Sequence, residues 1–255
     1  MLELLQKNPM HAQLLFSDAL ACSGVASPYL SKDELRALSA VASSERTLKV
    51  NTDLVREGAK SEQLYIITEG WACRYKTTRE GGRQIVSVLV PGDVANLDAL
   101  LFDRLDYAVR ILSSAKAVAL SRTAVLALGD RHAGIGRTLT RLAMVENAIL
   151  SQWALCLGRR SAQQRVAHLF CELAVRLCGD DHETVSFEMP LTQEQLGDAL
   201  GLTPVHVNRM MQQLRGDGLI VTSGRTMTLP DVAGIRAVAD FSPAYLHVHA
   251  EDLGG

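Results

Sequence analysis

Four side chains in the C-terminal third, Val205, Asn208, Arg209 and Gln212, stand at i, i+3, i+4 and i+7 and so share one face of any helix that contains them. Arginine pairs with guanine through two hydrogen bonds, and asparagine or glutamine does the same with adenine. A valine methyl can meet the methyl of thymine. Such a set on one helix is equipped to read base edges in a DNA major groove. Thr203 and His206 beside it are assigned to phosphate contact or capping, and Thr192 starts a helix upstream. Arg225 follows in a turn from which a guanidinium can reach a phosphate.

Local signals supply the elements that would hold these groups. Thr192 and Gln195 have the spacing of a capping box, and Leu196 and Leu200 give the helix they open an apolar stripe. Gly197 is small enough for a second helix to pack close, and Gly201 suits the tight turn between the two. Thr203 and Pro204 form a second start, a capping hydroxyl before a residue that fits the first helical position. In the helix they open, Val207, Met210, Met211 and Leu214 face a core. Gly216-Asp217-Gly218 stops that helix. Leu219-Ile220-Val221 then reads as a strand, Ser223-Gly224-Arg225 as a turn and Thr226 to Leu229 as a returning strand. The order helix, turn, helix, two-stranded wing predicts a winged helix-turn-helix. A packed helical hairpin would use the same caps and turns, but the polar outer face and the wing favour DNA.

The stretch MPLTQEQLGDALGLTPVHVNRMMQQLRGDGLI resembles the DNA-binding domain of Crp/Fnr transcription regulators. On that resemblance Arg209 matches a base- or phosphate-contacting arginine. The family's glutamate is replaced by Val205, and the usual serine or glycine before the arginine is Asn208. The operator is therefore expected to differ from the common family half-site.

Composition bounds the partners. A chain of 255 residues with 47% hydrophobic content has room for two modest soluble domains. No apolar run approaches the roughly 20 residues of a membrane span, and MLELLQKNPMHAQ lacks the layout of a secretory signal, so the cytoplasm is expected. Cys22, Cys73, Cys156, Cys171 and Cys178 are odd in number and without CxxC spacing, which suits free thiols in a reducing compartment. The formal charge of -2 counts against a protein that coats nucleic acid indiscriminately. Residues 186–230 even hold four acids (Glu188, Glu194, Asp198, Asp217) against three arginines (Arg209, Arg215, Arg225). Affinity should then lean on helix N-termini, hydroxyls and a site doubled in a homodimer.

Upstream, Ser31 and Glu34 form a capping box for a short helix over KDELRALSAVA. From about Glu45 to Ala119 short β-rich runs alternate with turns at Gly58, Gly70, Gly81-Gly82 and Gly92. Leu54-Val55, Leu64 to Ile67, Trp71 to Tyr75, Ile85 to Val90 and Val109 to Leu112 are the strands expected. Trp71, Cys73 and Tyr75 alternate with Ala72, Arg74 and Lys76, which implies one buried face. This region resembles the jelly-roll sensor of the same family, the cyclic-nucleotide-binding fold, through Arg56-Glu57-Gly58, Leu64-Tyr65-Ile66 with Gly70, and Pro91-Gly92-Asp93. A helix is expected from about Arg131 to Leu157, with Leu139, Leu142, Ile149, Trp153 and Cys156 in a near-heptad stripe and Val145 beside it. The family resemblance makes that stripe a dimer seam; the alternative is a helix packed only on its own roll. Gly158-Arg159-Arg160 is read as a hinge, Ser161 as the cap of the next helix, and Val232 to Phe241 as a last helix. The expected class is α+β, with a sensor roll over residues 1–130, a dimerisation helix over 131–158 and a winged helix-turn-helix over 159–255.

The effector is less legible. The family's phosphate cassette carries a Gly-Glu pair and a later Arg-Ser or Arg-Thr pair. Alignment on Gly92-Asp93 puts Asn96-Leu97 and Asp106-Tyr107 in those places, and an acid there would repel a phosphate. Asn96, Asp98, Arg104, Asp106 and Tyr107 are the candidate effector pocket, with Arg104 or Arg110 able to substitute for the missing arginine. An iron–sulfur cluster has no obvious ligand set, since Cys22 is the single N-terminal cysteine, and haem through His132 or Cys73 stays open. The cofactor is thus unknown. The barrel has no His, Asp and Glu constellation for an enzyme's metal site. The partners implied are double-stranded DNA with a near-palindromic operator, a second copy of the chain and RNA polymerase. A constitutive regulator whose roll is only a scaffold is the competing reading.

Overall fold

The capping box at Ser31 opens α1 (Lys32–Ala40) in a computed structural model that describes residues 29–248. Seven short strands follow: β1 (Arg46–Leu48), β2 (Asp53–Val55), β3 (Gln63–Glu69), β4 (Ala72–Thr77), β5 (Arg83–Leu89), β6 (Ala108–Ile111) and β7 (Ala115–Ser121). Then come α2 (Arg122–Arg131), α3 (Ala133–Arg159), α4 (Ala162–Cys178) and β8 (Val185–Glu188). The chain continues through α5 (Gln193–Leu200), α6 (Pro204–Gly216), β9 (Val221–Ser223), β10 (Thr226–Leu229) and α7 (Val232–Ala239). Contacts divide it into two units, Met1–Lys76 with Ser87–Met144 and Thr77–Val86 with Val145–Gly255, and the division passes through α3.

The first unit is a roll of two antiparallel sheets, ordered β1-β7-β3 and β2-β6-β4-β5. Side chains alternate along β3 and β7, so each buries both faces. Ile67, Ala115 and Ala117 point into the roll, where they meet Val55, Ala72, Val109 and Ile111. Leu64, Ile66, Val118 and Leu120 point the other way, onto a second core with Leu38, Val125 and Ile135. The five strands expected from sequence all form, but β1 and β7 were not among them. β7 reads AKAVALS, and alanine is a poor strand former in isolation. Its small side chains fit between two crowded layers, so tertiary packing overrides propensity there. Gly70 turns β3 into β4 at φ 76°, and a Cβ there would collide with the Ser114 carbonyl.

The parity of β4 differs from what polarity suggests. Its inward residues are Ala72 and Arg74, opposite Ile111 and Val109, whereas Cys73 lies opposite Arg110. An arginine therefore stands inside the roll, only 7% exposed.

The second unit is built on α4, which is buried continuously from Val166 to Val175. Ser161 caps it with a full capping box. The helix before it runs through Gly158 to Arg159, so the expected three-residue hinge reduces to Arg160 and Ser161. The wing has three strands rather than two, in the order β8-β10-β9. Leu219 and Ile220, expected as strand, are buried core residues ahead of β9, which starts at Val221. The last helix ends at Ala239 instead of Phe241, because Asp240 turns left-handed and a 3-10 turn (Pro243–Leu246) follows. Cys22 and the chain beyond residue 248 lie outside the described residues.

Candidate functional site

The helix-turn-helix forms from the caps that its sequence carries. Thr192 Oγ1 accepts from the Gln195 amide at 3.2 Å and the Gln195 side chain accepts from the Thr192 amide at 2.9 Å. Gly197 sits under the turn, where a Cβ would come within 2.5 Å of the Leu202 carbonyl oxygen, and Gly201 closes α5 at φ 63°. The Thr203 hydroxyl accepts from the His206 amide at 3.2 Å and starts α6, with Pro204 in its first turn. Thr192 and Thr203 thus serve as caps, and their hydroxyl protons remain to donate to a phosphate.

Val207, Met210, Met211 and Leu214 are buried, which fixes the roll angle of α6 and turns Val205, Arg209 and Gln212 outward. Asn208 and His206 are half-buried at the edges of that face. No side-chain hydrogen bond to another described residue engages Val205, Asn208, Arg209 or Gln212. Arg225 is 72% exposed at the wing turn, 3.8 Å from Glu188. Sequence reasoning passed over Arg215, which is exposed in the last turn of α6 and donates from Nε to Thr222 Oγ1 on the wing at 3.3 Å. The acid surplus is partly neutralised as well. Asp198 accepts from Arg83 at 2.6 Å, on the hairpin tip that groups with this unit.

The stripe assigned to a dimer seam falls on the chain's own interior. Leu139 and Leu142 pack against the core of the first unit. Val145 is 6% and Trp153 7% exposed, and Trp153 Nε1 donates to Glu172 at 3.0 Å. Ile149 is half-buried. The outward apolar residues of α3 are Met144, Leu150 and Leu155, at 61%, 46% and 46% exposure. Heptad spacing alone does not say which of two apolar stripes on one helix is covered by the same chain.

Around Trp153 lies a buried polar network. Glu172, fully buried, accepts from Trp153, from the Tyr245 hydroxyl at 2.8 Å and from Arg176 at 3.4 Å. Burial pushes its carboxyl above the usual carboxylate range, opposed first by the Arg176 charge. Next to it His168 packs against Phe241 and Tyr245, and burial holds its imidazole down at about 3.

The candidate effector residues are all engaged within the roll. Asn96 is fully buried; its Oδ1 accepts from the Tyr65 amide at 2.9 Å and its Nδ2 donates to Ser61 and to the Gln63 carbonyl. The Tyr107 hydroxyl is bonded to Asp98. Asp106 points to the surface and pairs with Lys76 at 2.5 Å, which holds its carboxyl below the usual range. Arg104 donates to the Gly58 carbonyl at 2.6 Å, and Arg110 pairs with Asp53 at 2.9 Å beneath Tyr75. Arg74, missed from sequence, donates to the carbonyls of Ala95 (2.8 Å) and Val94 (2.6 Å) and lies over the Tyr107 ring. The cassette positions do not fit a cyclic nucleotide phosphate: one carries an exposed acid, and both neighbouring arginines are spent on the chain. Cys73 is buried in β4, and His132 joins α2 to α3. Among the described residues no three His, Cys, Asp or Glu side chains are grouped to hold a metal ion, and no helix is long and apolar enough to cross a membrane.

Comparison with known proteins agrees with this geometry. The sequence model of the Crp-like helix-turn-helix domain matches residues 164–238, and that of the cyclic nucleotide-binding domain matches residues 45–132. The transcriptional activator protein FnrL of Cereibacter sphaeroides is 25% identical over 71% of this chain and 73% of its own. The fumarate and nitrate reduction regulatory protein of Vibrio cholerae is 21% identical over 84% and 85%. The structure of FixK2 from Bradyrhizobium japonicum superposes with a TM-score of 0.71 at 24% identity, over 79% of this chain and 99% of that one, and so shares the fold. The first of these is named as a transcriptional activator and the second as a regulatory protein, and the matched sequences are those of regulators and not of enzymes. With the roll and the winged helix-turn-helix matched in order along one chain, the protein belongs to the Crp/Fnr family of DNA-binding transcription regulators.

Proposed function

We propose that the protein binds a near-palindromic operator as a homodimer, two α6 helices entering successive major-groove faces about 34 Å apart. The observation that carries this reading is the outer face of α6, where Arg209, Gln212 and Val205 are exposed and their side chains make no hydrogen bond to another described residue. Such groups cost nothing to present and gain partners only on docking. Selection of bound duplexes from a random pool tests the reading: a two-fold-symmetric site should be enriched, and a pool that stays random would sink it.

The dimer is assigned to the outward face of α3, where Met144, Ala148, Ser151 and Leu155 recur at i, i+4, i+7 and i+11. Met144→Asp with Leu155→Asp should give monomers by sedimentation and lower operator affinity by about a hundredfold or more, because one half-site contact set is lost. A double variant that still sediments as a dimer would place the interface elsewhere.

Effector control at the roll is proposed through contacts other than the phosphate cassette. Titration with millimolar cyclic AMP or cyclic GMP should give no saturable heat, and micromolar binding abolished by Arg104→Ala or Arg110→Ala would overturn that. The partners that Asn96, Asp106 and Arg110 already have within the chain also support a second reading, a regulator whose roll is a scaffold. Operator affinity that stays constant across cell extracts depleted and replete in small molecules would favour the scaffold. RNA polymerase is the partner such a regulator would meet at the promoter.

A further inference from the structure

We infer that Val205 reads the methyl group of a thymine, so that each operator half-site carries a thymine under the first turn of α6. The inference rests on the DNA-binding reading above and names a base for it. Val205 is 81% exposed, the highest value among the exposed large hydrophobic residues described. The fold gives it no other task. The residue that can staple the start of α6 is Val207, fully buried four positions after the Thr203 cap, and the cap itself is made by Thr203 with Pro204 behind it. A β-branched side chain there also slightly disfavours the helix. Its neighbours on the same face are the donors Arg209, one turn on, and Gln212, two turns on, so the valine is an apolar island in a polar surface.

The position within α6 narrows the ligand. Residues in the first turn of a recognition helix come nearest the base edges. Valine has no donor or acceptor, and pressed against a base amino or carbonyl group it would strip water from that group without replacing the hydrogen bond. The C5 methyl of thymine is the one apolar projection in the major groove, and contact with it gains by burying both methyls. A glutamate at that place would accept from a cytosine amino group, whereas valine favours thymine.

The test uses the full-length protein and the operator enriched from a random pool. Each thymine is replaced in turn by deoxyuridine, which removes the methyl and keeps the base-pairing edge. One thymine per half-site should respond, with affinity about fourfold weaker per half-site. Val205→Ala should have an unfolding midpoint equal to or slightly above the parent's, still bind the operator, and show a clearly reduced distinction between thymine and deoxyuridine at that position alone. Val205→Glu should shift the selected base there from thymine to cytosine. Deoxyuridine tolerated at every thymine, or Val205→Ala with the same methyl sensitivity as the parent, overturns the inference while leaving DNA binding intact. A pool in which no sequence is enriched overturns both.

Discussion

Arg209 and Arg74 are the same side chain in opposite surroundings. Arg209 projects from α6 into solvent and meets no acceptor among the described residues, and its helix is held by side chains on the far face. Arg74 lies 7% exposed inside the roll and donates to two backbone carbonyls. A buried guanidinium left without acceptors would cost several kcal/mol, so the roll had to supply them as it folded. The exposed one is already paired with water and can exchange that water for a base. A polar group built for an external partner is idle in the free protein; one built for the fold is spent. By that criterion the outer face of α6 is open to an external partner, and the cassette side chains are already engaged by the fold.

Substitutions can break this contrast. The largest effect is expected inside the roll. Asn96→Leu would leave the half-buried Tyr65 amide without its acceptor and remove the buried amide donor shared by Ser61 and the Gln63 carbonyl, lowering stability by about 3 kcal/mol in urea unfolding while leaving operator base preference unchanged. An Asn96→Leu protein of parental stability would show that the residue is not structural.

The second unit offers a pH-dependent case. His168 is held neutral down to about 3 against 6.5 in an unfolded chain. Below 6.5 the unfolded state takes up a proton that the folded state refuses, so stability falls as pH drops from 6.5 toward 3. Between pH 6.5 and 4.5 the loss should be about 2–3 kcal/mol, and His168→Gln should flatten that part of the profile. Glu172, shifted upward, acts in the opposite sense and is present in both proteins, so the comparison isolates His168. Equal slopes for parent and variant would contradict the assignment.

Smaller effects belong to the exposed face. Arg209→Ala should weaken specific binding by about 1–3 kcal/mol and relax one base position, with no change in unfolding midpoint. Arg225→Ala should cost less than about 1 kcal/mol, evenly across sequences, and lower the slope of log affinity against log salt by about one. A sequence-dependent loss would instead move Arg225 from phosphate contact to base reading.

The two regions also differed in how much could be read ahead of the structure. In the helix-turn-helix every boundary is set by local chemistry: Thr192 with Gln195, Gly201, and Thr203 with Pro204 act within a few residues of themselves. All of these are where the sequence puts them. The roll depends on pairing at long range. β7 hides in an alanine-rich run because its reason for being a strand lies in β3 and β1, and the inward turn of Arg74 follows from its register with Val109. The helix α3 failed in a third way. It carries two apolar stripes, and the packing of Leu139 and Leu142 on the first core and of Trp153 on Glu172 tells which one the chain covers for itself.

That tryptophan has an optical consequence. The chain contains two tryptophans, and one falls in each unit: Trp71 at 3% exposure in the roll and Trp153 at 7% beside Glu172. Both indoles are shielded from water, so both should emit at short wavelength when folded and shift red as their own unit opens. Trp71→Phe and Trp153→Phe variants therefore give two single-colour thermometers, each following one half of the regulator by ordinary fluorescence without any attached dye.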